Sequence, residues 1–332
     1  MAKLLEVKNL ETRFKARSGY LYAVNGVSFS LEKGEMLGVV GESGCGKSVT
    51  MMSLIKLLPP SAQIINGTVI LDGQEISSAS KAEMNFIRGT KVGMIFQDPM
   101  TSLNPFVKIG IQLTEGIMYH KKLDKEDAMQ QAANYLDLVG ISNSKERLHE
   151  YPHQLSGGMR QRVMIAMALL GEPSLVIADE PTTALDVTIQ AQIVELVKGL
   201  REKLNTSIIW ITHDLSLLAG MVDRIMVMYA GMIVEEAPLD DIYKSPSHPY
   251  TIGLLHSIPK VDASHGKRLP SIGGAPPNLY VKATSCPFAP RCTFKIDRCD
   301  KENPQLREIP TTVPNAHHRI ACWVDVDKRS RA

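Results

Sequence analysis

No stretch of this 332-residue sequence comes near the roughly 18 consecutive apolar residues expected of a membrane-spanning helix. The run over residues 163–170 is far too short. No secretory h-region opens the chain either, because the first ten residues pass directly into strand-like alternation. Neither sign of charge dominates. With 37 basic against 35 acidic side chains the formal net charge is +2, so bulk electrostatics give no reason to expect a nucleic-acid partner. Internal repeats are missing. Of the five cysteines none stands at C-x-x-C spacing from another, which removes the close pairs usual in zinc ribbons. These absences leave a chain expected in the cytoplasm that reaches a membrane only through a protein partner.

What is present fits a globular protein: 44% apolar and 22% charged residues, enough for one domain and a smaller appendage. Residues 4–14 and 23–31 carry apolar side chains at near-alternate positions, and Glu32-Lys33-Gly34 reads as a turn into the next strand. Residues 36–40 form a short apolar strand, a helix is predicted over residues 47–57, and residues 67–73 read as strand and turn. Helical spacing takes over between 106 and 150, most clearly over 125–138, which holds neither Pro nor Gly. Strands at 175–178, 207–211 and 224–228 then alternate with helical segments, including the stripe Ile189, Ile193, Leu196, Leu200 and Leu204. All-apolar strands alternating with helices imply an α/β fold with a mostly parallel sheet.

The texture changes after residue 239. Eleven of the 19 prolines lie in residues 240–332, and no long amphipathic element appears there. The chain is therefore divided into a domain at 1–237 and an extension at 238–332. The extension is loop-rich, has little core of its own and needs a staple. Four cysteines, Cys286, Cys292, Cys299 and Cys322, fall within it. In a cytoplasmic protein such clustering suggests metal ligation more than disulfides. Four thiolates can surround either Zn²⁺ or a [4Fe–4S] cluster; the other reading is four unligated cysteines acting as small hydrophobes.

Two segments carry the chemistry. Gly41-Glu42-Ser43-Gly44-Cys45-Gly46-Lys47-Ser48 matches G-x-x-x-x-G-K-[ST] in full, directly after an apolar strand and before a helical segment. In such a P-loop the glycines let backbone N–H groups turn inward toward phosphate oxygens, and the helix start adds its positive end. Gly41, Ser43, Gly44, Cys45, Gly46, Lys47, Ser48 and Val49 are the expected ATP contacts. Lys47 supplies a point charge for the β- and γ-phosphates, Ser48 a hydroxyl for Mg²⁺. Cys45 is a small side chain at a variable loop position, with no redox role. The second segment, Leu175-Val176-Ile177-Ala178-Asp179-Glu180, delivers two adjacent carboxylates at the end of an apolar strand. Asp179 is suited to hold Mg²⁺, and Glu180 to polarise the attacking water.

Leu155-Ser156-Gly157-Gly158-Met159-Arg160-Gln161 resembles the LSGGQ signature of the ATP-binding-cassette ATPases, with Met159 in place of the usual Gln. Ser156 is a good N-cap, and two glycines let an anion approach the backbone. The resemblance implies a P-loop NTPase with an antiparallel β subdomain and a helical subdomain at about 98–170. It also implies that Ser156, Gly157 and Gly158 close over ATP bound to a second subunit. Further motifs follow in the family order. Phe96-Gln97-Asp98 resembles the Q-loop, placing Gln97 near Mg²⁺ and the attacking water. Ala184-Leu185-Asp186 resembles the D-loop, making Asp186 a dimer contact. Ile211-Thr212-His213-Asp214 resembles the switch, making His213 a γ-phosphate ligand. The resemblance also implies an adenine-stacking aromatic at the end of the first strand: Phe14, with Tyr20 and Tyr22 as competitors.

Three features are similar to the dipeptide, oligopeptide and nickel importers: the extended segment from Phe96 to Pro105, Tyr151-Pro152-His153-Gln154 before the signature, and His248-Pro249-Tyr250-Thr251 with the cysteine-bearing tail. This resemblance implies ATP-powered import of di- or oligopeptides, with the chain peripheral to the cytoplasmic face of the membrane. Its implied partners are a second, related ATPase in a heterodimer, two transmembrane permease subunits and an extracytoplasmic binding protein, with no nucleic acid. It favours [4Fe–4S] over zinc at the four cysteines. A nickel-chelate importer is the alternative, and a soluble cassette ATPase of DNA repair or translation is a more distant one.

Overall fold

The computed structural model describes residues 2–183, 185–258 and 272–326. In chain order the first elements are strands β1 (Lys3–Ala16), β2 (Gly19–Glu32) and β3 (Met36–Val40), helix α1 (Lys47–Leu54), and strands β4 (Ala62–Leu71) and β5 (Gln74–Glu75). The middle runs through α2 (Lys81–Thr90), β6 (Val92–Ile95), α3 (Pro99–Ser102), α4 (Ile109–Lys121), α5 (Lys125–Leu138), α6 (Ser144–Arg147), α7 (Gly157–Leu169), β7 (Leu175–Asp179), α8 (Val187–Leu204) and β8 (Ser207–Thr212). The last part holds β9 (Arg224–Tyr229), β10 (Met232–Pro238), α9 (Leu239–Lys244), α10 (Pro249–His256), β11 (Arg307–Ile309) and β12 (His318–Ile320). The chain forms two compact units: Met1–Leu4, Leu31–Glu35 and Ser78–Ile211 make one, and Leu5–Ser30, Met36–Ser77 and Thr212–Ala332 the other.

In the first unit β6, β7 and β8 run parallel, with Val92 opposite Leu175 and Leu175 opposite Ser207. Every residue of β7 and β8 is buried, as continuous apolar strands in a parallel sheet should be. The expected helix over 125–138 is α5. Ala128, Ala132, Ala133 and Leu136 make its buried face, the 3.6-residue stripe that packs a helix onto its neighbours. Asp124 caps its start by accepting from the Asp127 N–H at 2.9 Å, and α2 opens with a reciprocal capping box between Ser80 and Glu83.

The second unit holds two sheet systems. β2, β1, β4 and β5 lie side by side in that order, with β1–β4 and β4–β5 antiparallel; this is the antiparallel part that the family resemblance implied. β3 pairs parallel with β9, while β9–β10, β10–β12 and β12–β11 are antiparallel. The tail is thus not simply appended. Its strand β12 sets Ile320 opposite Glu235 and Arg319 opposite Glu236 of β10, which gives the proline-rich segment a sheet edge on which to order. A buried polar knot reinforces the join. Glu235, fully buried, accepts the N–H groups of Ser247 at 2.7 Å and His248 at 2.9 Å and bonds His318 Nε2 at 2.8 Å. Such a carboxylate is tolerable inside a protein only because its lone pairs are spent.

Candidate active site

The fully buried strand β3 feeds straight into the loop 41–48. Two glycines there are dictated by space as well as by backbone angle. Gly41 has φ +152°, and a Cβ on it would lie 2.3 Å from the carbonyl oxygen of Met228. Gly46 has φ +99°, and a Cβ would lie 2.3 Å from that of Ala23. No L side chain fits either position. Gly46 is also the residue before α1, with no side chain capping the helix. Lys47 is 4% exposed, and its ammonium donates to the carbonyls of Gly41 at 2.7 Å and Glu42 at 3.1 Å. It therefore lies across the curl of the loop. Ser48 and Val49 form the half-buried start of α1, and Ser43 and Gly44 are the exposed tip of the loop. Burial pushes the Cys45 thiol above its ordinary value, although Lys47 pulls the other way, so it is a protonated, packed side chain rather than a reactive thiolate.

The loop is braced from behind by the β9–β10 turn. The Gly231 N–H donates to the Cys45 carbonyl at 2.9 Å, and Asn25 holds that turn through its own N–H to Gly231 at 2.8 Å and its side-chain amide to Ala230 at 2.9 Å. The backbone at Ala23 and Asn25 is therefore against the loop, which puts Tyr22 one residue from it. Phe14 is half-buried in β1 opposite Ala62, and the face of Tyr20 carries the Arg13 guanidinium at 3.8 Å.

In the first unit β7 ends on Asp179, 6% exposed, followed by Glu180 at φ +46°. A glutamate in left-handed backbone is uncommon and marks an enforced conformation. Here the Glu180 N–H donates to the Ile211 carbonyl at 3.1 Å, which turns the chain sharply out of the sheet. The Glu180 carboxylate accepts from the Gln97 side-chain amide at 3.3 Å and from the Thr183 hydroxyl at 3.0 Å. Gln97, Asp179 and Glu180 are thus brought together, and Thr183, which belongs to none of the motifs, joins them. His213 is exposed just beyond β8, two residues after the Ile211 that holds Glu180. Asp214 then caps the next turn by accepting from the Ser216 N–H at 2.8 Å.

Ser156 caps α7, accepting from the Met159 N–H at 3.3 Å. Ser156 and Gly157 are exposed. A Cβ at Gly157 would meet nothing within 4 Å, whereas one at Gly158 would come within 3.2 Å of Ile189 Cγ2. Asp186 caps α8 by accepting from the Ile189 N–H at 2.9 Å; Ala184 of the same motif lies outside the described residues.

Cys299 and Cys322 are buried, and Cys286 and Cys292 half-buried. The Cys286 N–H donates to the Cys299 carbonyl at 3.0 Å. Burial raises the thiols of Cys286, Cys292 and Cys322, the last to about 11, with the other cysteines of the set adding to the rise. The Val324 N–H donates to the Cys322 sulfur at 3.4 Å. Among the described residues no group of three or more His, Cys, Asp or Glu side chains is arranged to hold a metal ion.

Three residues of this region carry no role in the motifs themselves. Glu42 is gripped by Arg291 and by Tyr250, which lie far along the chain. Tyr250 belongs to the His248–Thr251 segment and Arg291 stands beside Cys292, but nothing local connects either to the phosphate loop.

A glycine-rich loop opening a helix, a strand ending in two carboxylates, and an uncovered serine–glycine helix start define a P-loop ATPase of the ATP-binding-cassette type. The cassette MJ0796, in a dimeric post-hydrolysis state bound to ADP and Pi, is similar to it with a TM-score of 0.63 at 27% identity, covering 71% of this chain and 98% of that one. The cassette cbiO1 from Clostridium perfringens, part of the transporter complex cbiONQ, has a TM-score of 0.63 at 26% identity, covering 74% and 92%. Residues 24–183 match the ABC transporter family and residues 234–299 the oligopeptide/dipeptide transporter C-terminal region. The dipeptide transport ATP-binding protein DppD of Bacillus subtilis (strain 168) is 48% identical over 333 residues, 100% of this chain and 98% of the relative. The oligopeptide transport ATP-binding protein OppD of Haemophilus influenzae is 48% identical over 328 residues, 99% of each. The chain belongs to the family of ATP-hydrolysing subunits of dipeptide and oligopeptide ABC transporters.

Proposed function

We propose that this chain powers import of di- or oligopeptides through membrane permease partners by hydrolysing ATP. The observation that carries this is the double match, cassette and peptide-transporter C-terminal region, within one chain that peptide-transport ATPases parallel end to end. Among the described residues no helix is long and apolar enough to cross a membrane, so the chain would engage permeases from the cytoplasmic face as a peripheral subunit. A related ATPase would complete a heterodimer, and an external binding protein would deliver cargo. We read residues 1–237 as the ATPase domain and 238–332 as the extension. The test is ATPase activity of the co-purified, reconstituted complex. Di- and oligopeptides are expected to stimulate it severalfold and nickel chelates to leave it unchanged; the reverse pattern would assign the nickel reading.

The roles follow from chemistry. Lys47 and the loop amides bind and orient the triphosphate, and Ser48, Gln97 and Asp179 offer the hard oxygen donors that Mg²⁺ requires. Mg²⁺ supplies charge neutralisation on the phosphate oxygens. Glu180 orients water in line with the γ-phosphate, held by the Gln97 and Thr183 hydrogen bonds, and His213 steadies the γ-phosphate. Ser156, Gly157 and Gly158 cap the nucleotide of the opposite subunit, with Asp186 as a contact between the two. Phe14 is our candidate for stacking on adenine. The closeness of Tyr22 to the phosphate loop makes Tyr22→Ala the decisive comparison: nucleotide affinity lost in Phe14→Ala but kept in Tyr22→Ala assigns the base to Phe14.

Cys286, Cys292, Cys299 and Cys322 would hold a [4Fe–4S] cluster, with Zn²⁺ the alternative. The support is the donor chemistry: four thiols near enough to influence one another, the soft donor set that zinc and iron–sulfur centres take. The group would act as a staple. Anaerobically purified protein is expected to show a broad iron–sulfur absorption in the visible that air or a chelator bleaches. A colourless protein with one zinc per chain would select zinc.

A further inference from the structure

The phosphate loop is held from outside by residues that belong to neither nucleotide chemistry nor a metal site. Arg291, whose side chain is 3% exposed, spends all five of its donors. Its Nη1 reaches Glu42 Oε2 at 2.6 Å and the Tyr229 hydroxyl at 3.3 Å, and its Nη2 reaches Glu42 Oε1 at 2.9 Å and the Ile272 carbonyl at 3.2 Å. Its Nε reaches the Gly273 carbonyl at 2.9 Å. The result is a bidentate fork on the second residue of the loop, the strongest geometry a guanidinium offers a carboxylate. The same residue is gripped at its backbone, where the Glu42 N–H donates to the hydroxyl of fully buried Tyr250 at 2.8 Å. The rings of Tyr229, Tyr250 and Phe288 pack on one another with centroids 4.7 to 5.4 Å apart. Phe288 lies between Cys286 and Cys292, and Arg291 immediately precedes Cys292. The cysteine-bearing loop is therefore joined to the phosphate loop directly by the Arg291 fork, and indirectly through Phe288, which packs on the Tyr250 whose hydroxyl holds the Glu42 N–H.

We propose that Arg291 and Tyr250 are positioning residues that hold the phosphate loop in its anion-binding curl and thereby set its nucleotide affinity. This rests on the 41–48 loop being the nucleotide site. An unclamped Glu42 frees the first turn of the loop, whose carbonyls at Gly41 and Glu42 already attract Lys47. Part of the binding free energy would then be used to order the loop.

The experiment compares Arg291→Lys, Arg291→Ala, Tyr250→Phe, Glu42→Gln and the Arg291→Ala/Glu42→Gln pair in the full-length chain, with Lys47→Ala as control. It reads Kd for a fluorescent ATP analogue with Mg²⁺, thermal melting, and KM and kcat in the assembled transporter. Lys47→Ala is expected to abolish analogue binding; if it does not, the site reading itself falls. Arg291→Ala and Glu42→Gln should each raise Kd and KM about tenfold, and the double variant no further, because both remove one interaction. Arg291→Lys and Tyr250→Phe are mild enough to preserve the fold and should raise Kd about threefold, with kcat changing less than KM. Should Arg291→Ala fail to fold, these two decide. Wild-type Kd and KM in both, with Lys47→Ala inactive, would overturn the clamp, as would fully additive effects in the double variant.

Discussion

Glu180→Gln is expected to bind ATP as tightly as the native chain while kcat falls by about 10²–10⁴-fold, the usual worth of a positioned general base. The substitution is nearly isosteric. It leaves an oxygen that can still accept from the Thr183 hydroxyl and the Gln97 amide, which lie 3.0 and 3.3 Å from the native carboxylate. The left-handed backbone at φ +46° is no worse for Gln than for Glu. What disappears is the negative charge proposed to polarise water. Nucleotide titration, steady-state ATPase assay and size-exclusion chromatography with ATP check this together. The variant should bind, barely turn over, and persist in the nucleotide-bound assembled form. Turnover at the native rate would remove Glu180 from its role.

Gly157→Asp should separate stability from activity. A Cβ at this position meets nothing in the chain within 4 Å, and the residue is the first of α7. There an aspartate replaces a poor helix former and complements the helix dipole, so the melting temperature should hold or rise. Binding of ATP by the isolated chain should also hold, because the loop 41–48 is untouched. ATP hydrolysis in the assembled complex should nonetheless fall at least about a hundredfold, since a carboxylate would face the γ-phosphate of the opposite subunit at the spot where N–H donors are needed. Melting, analogue binding and turnover on one preparation give all three. Native turnover would mean that the serine–glycine turn does not approach the nucleotide.

Both expectations rest on features that are local in the chain, which is why the order of residues alone reveals them. A P-loop needs its glycines within eight residues because backbone curl, amide donors and helix start are one continuous piece. Gly41 and Gly46 bear this out, each pressed against a carbonyl oxygen that would collide with a Cβ. The Asp179-Glu180 pair is legible for the same reason, since an apolar strand must end where its carboxylates begin. The helix expected over 125–138 coincides with α5 to the residue. Less is visible in the tail. Its prolines and lack of amphipathic stripes suggest a module needing a staple, but not that Ile320 and Arg319 pair with Glu235 and Glu236 on β10. Thr183 beside Glu180 is likewise hidden, because a threonine two residues beyond a Glu-Pro step has no distinguishing pattern.

The sequence by itself determined the class of protein, a P-loop ATPase of the cassette type, through a glycine-rich loop, an apolar strand ending in two carboxylates and a serine–glycine helix start. Each depends on residues a few positions apart, where backbone geometry dictates the outcome. Only the tertiary structure decided that the Arg291 guanidinium and the Tyr250 hydroxyl close on Glu42. These groups stand more than two hundred positions from it, and a salt bridge between such distant residues leaves no periodicity or spacing in the chain. It forms because β9, α10 and the cysteine-bearing loop converge on one buried cluster of rings, and burial then leaves the guanidinium no partner but the carboxylate, carbonyls and hydroxyl around it.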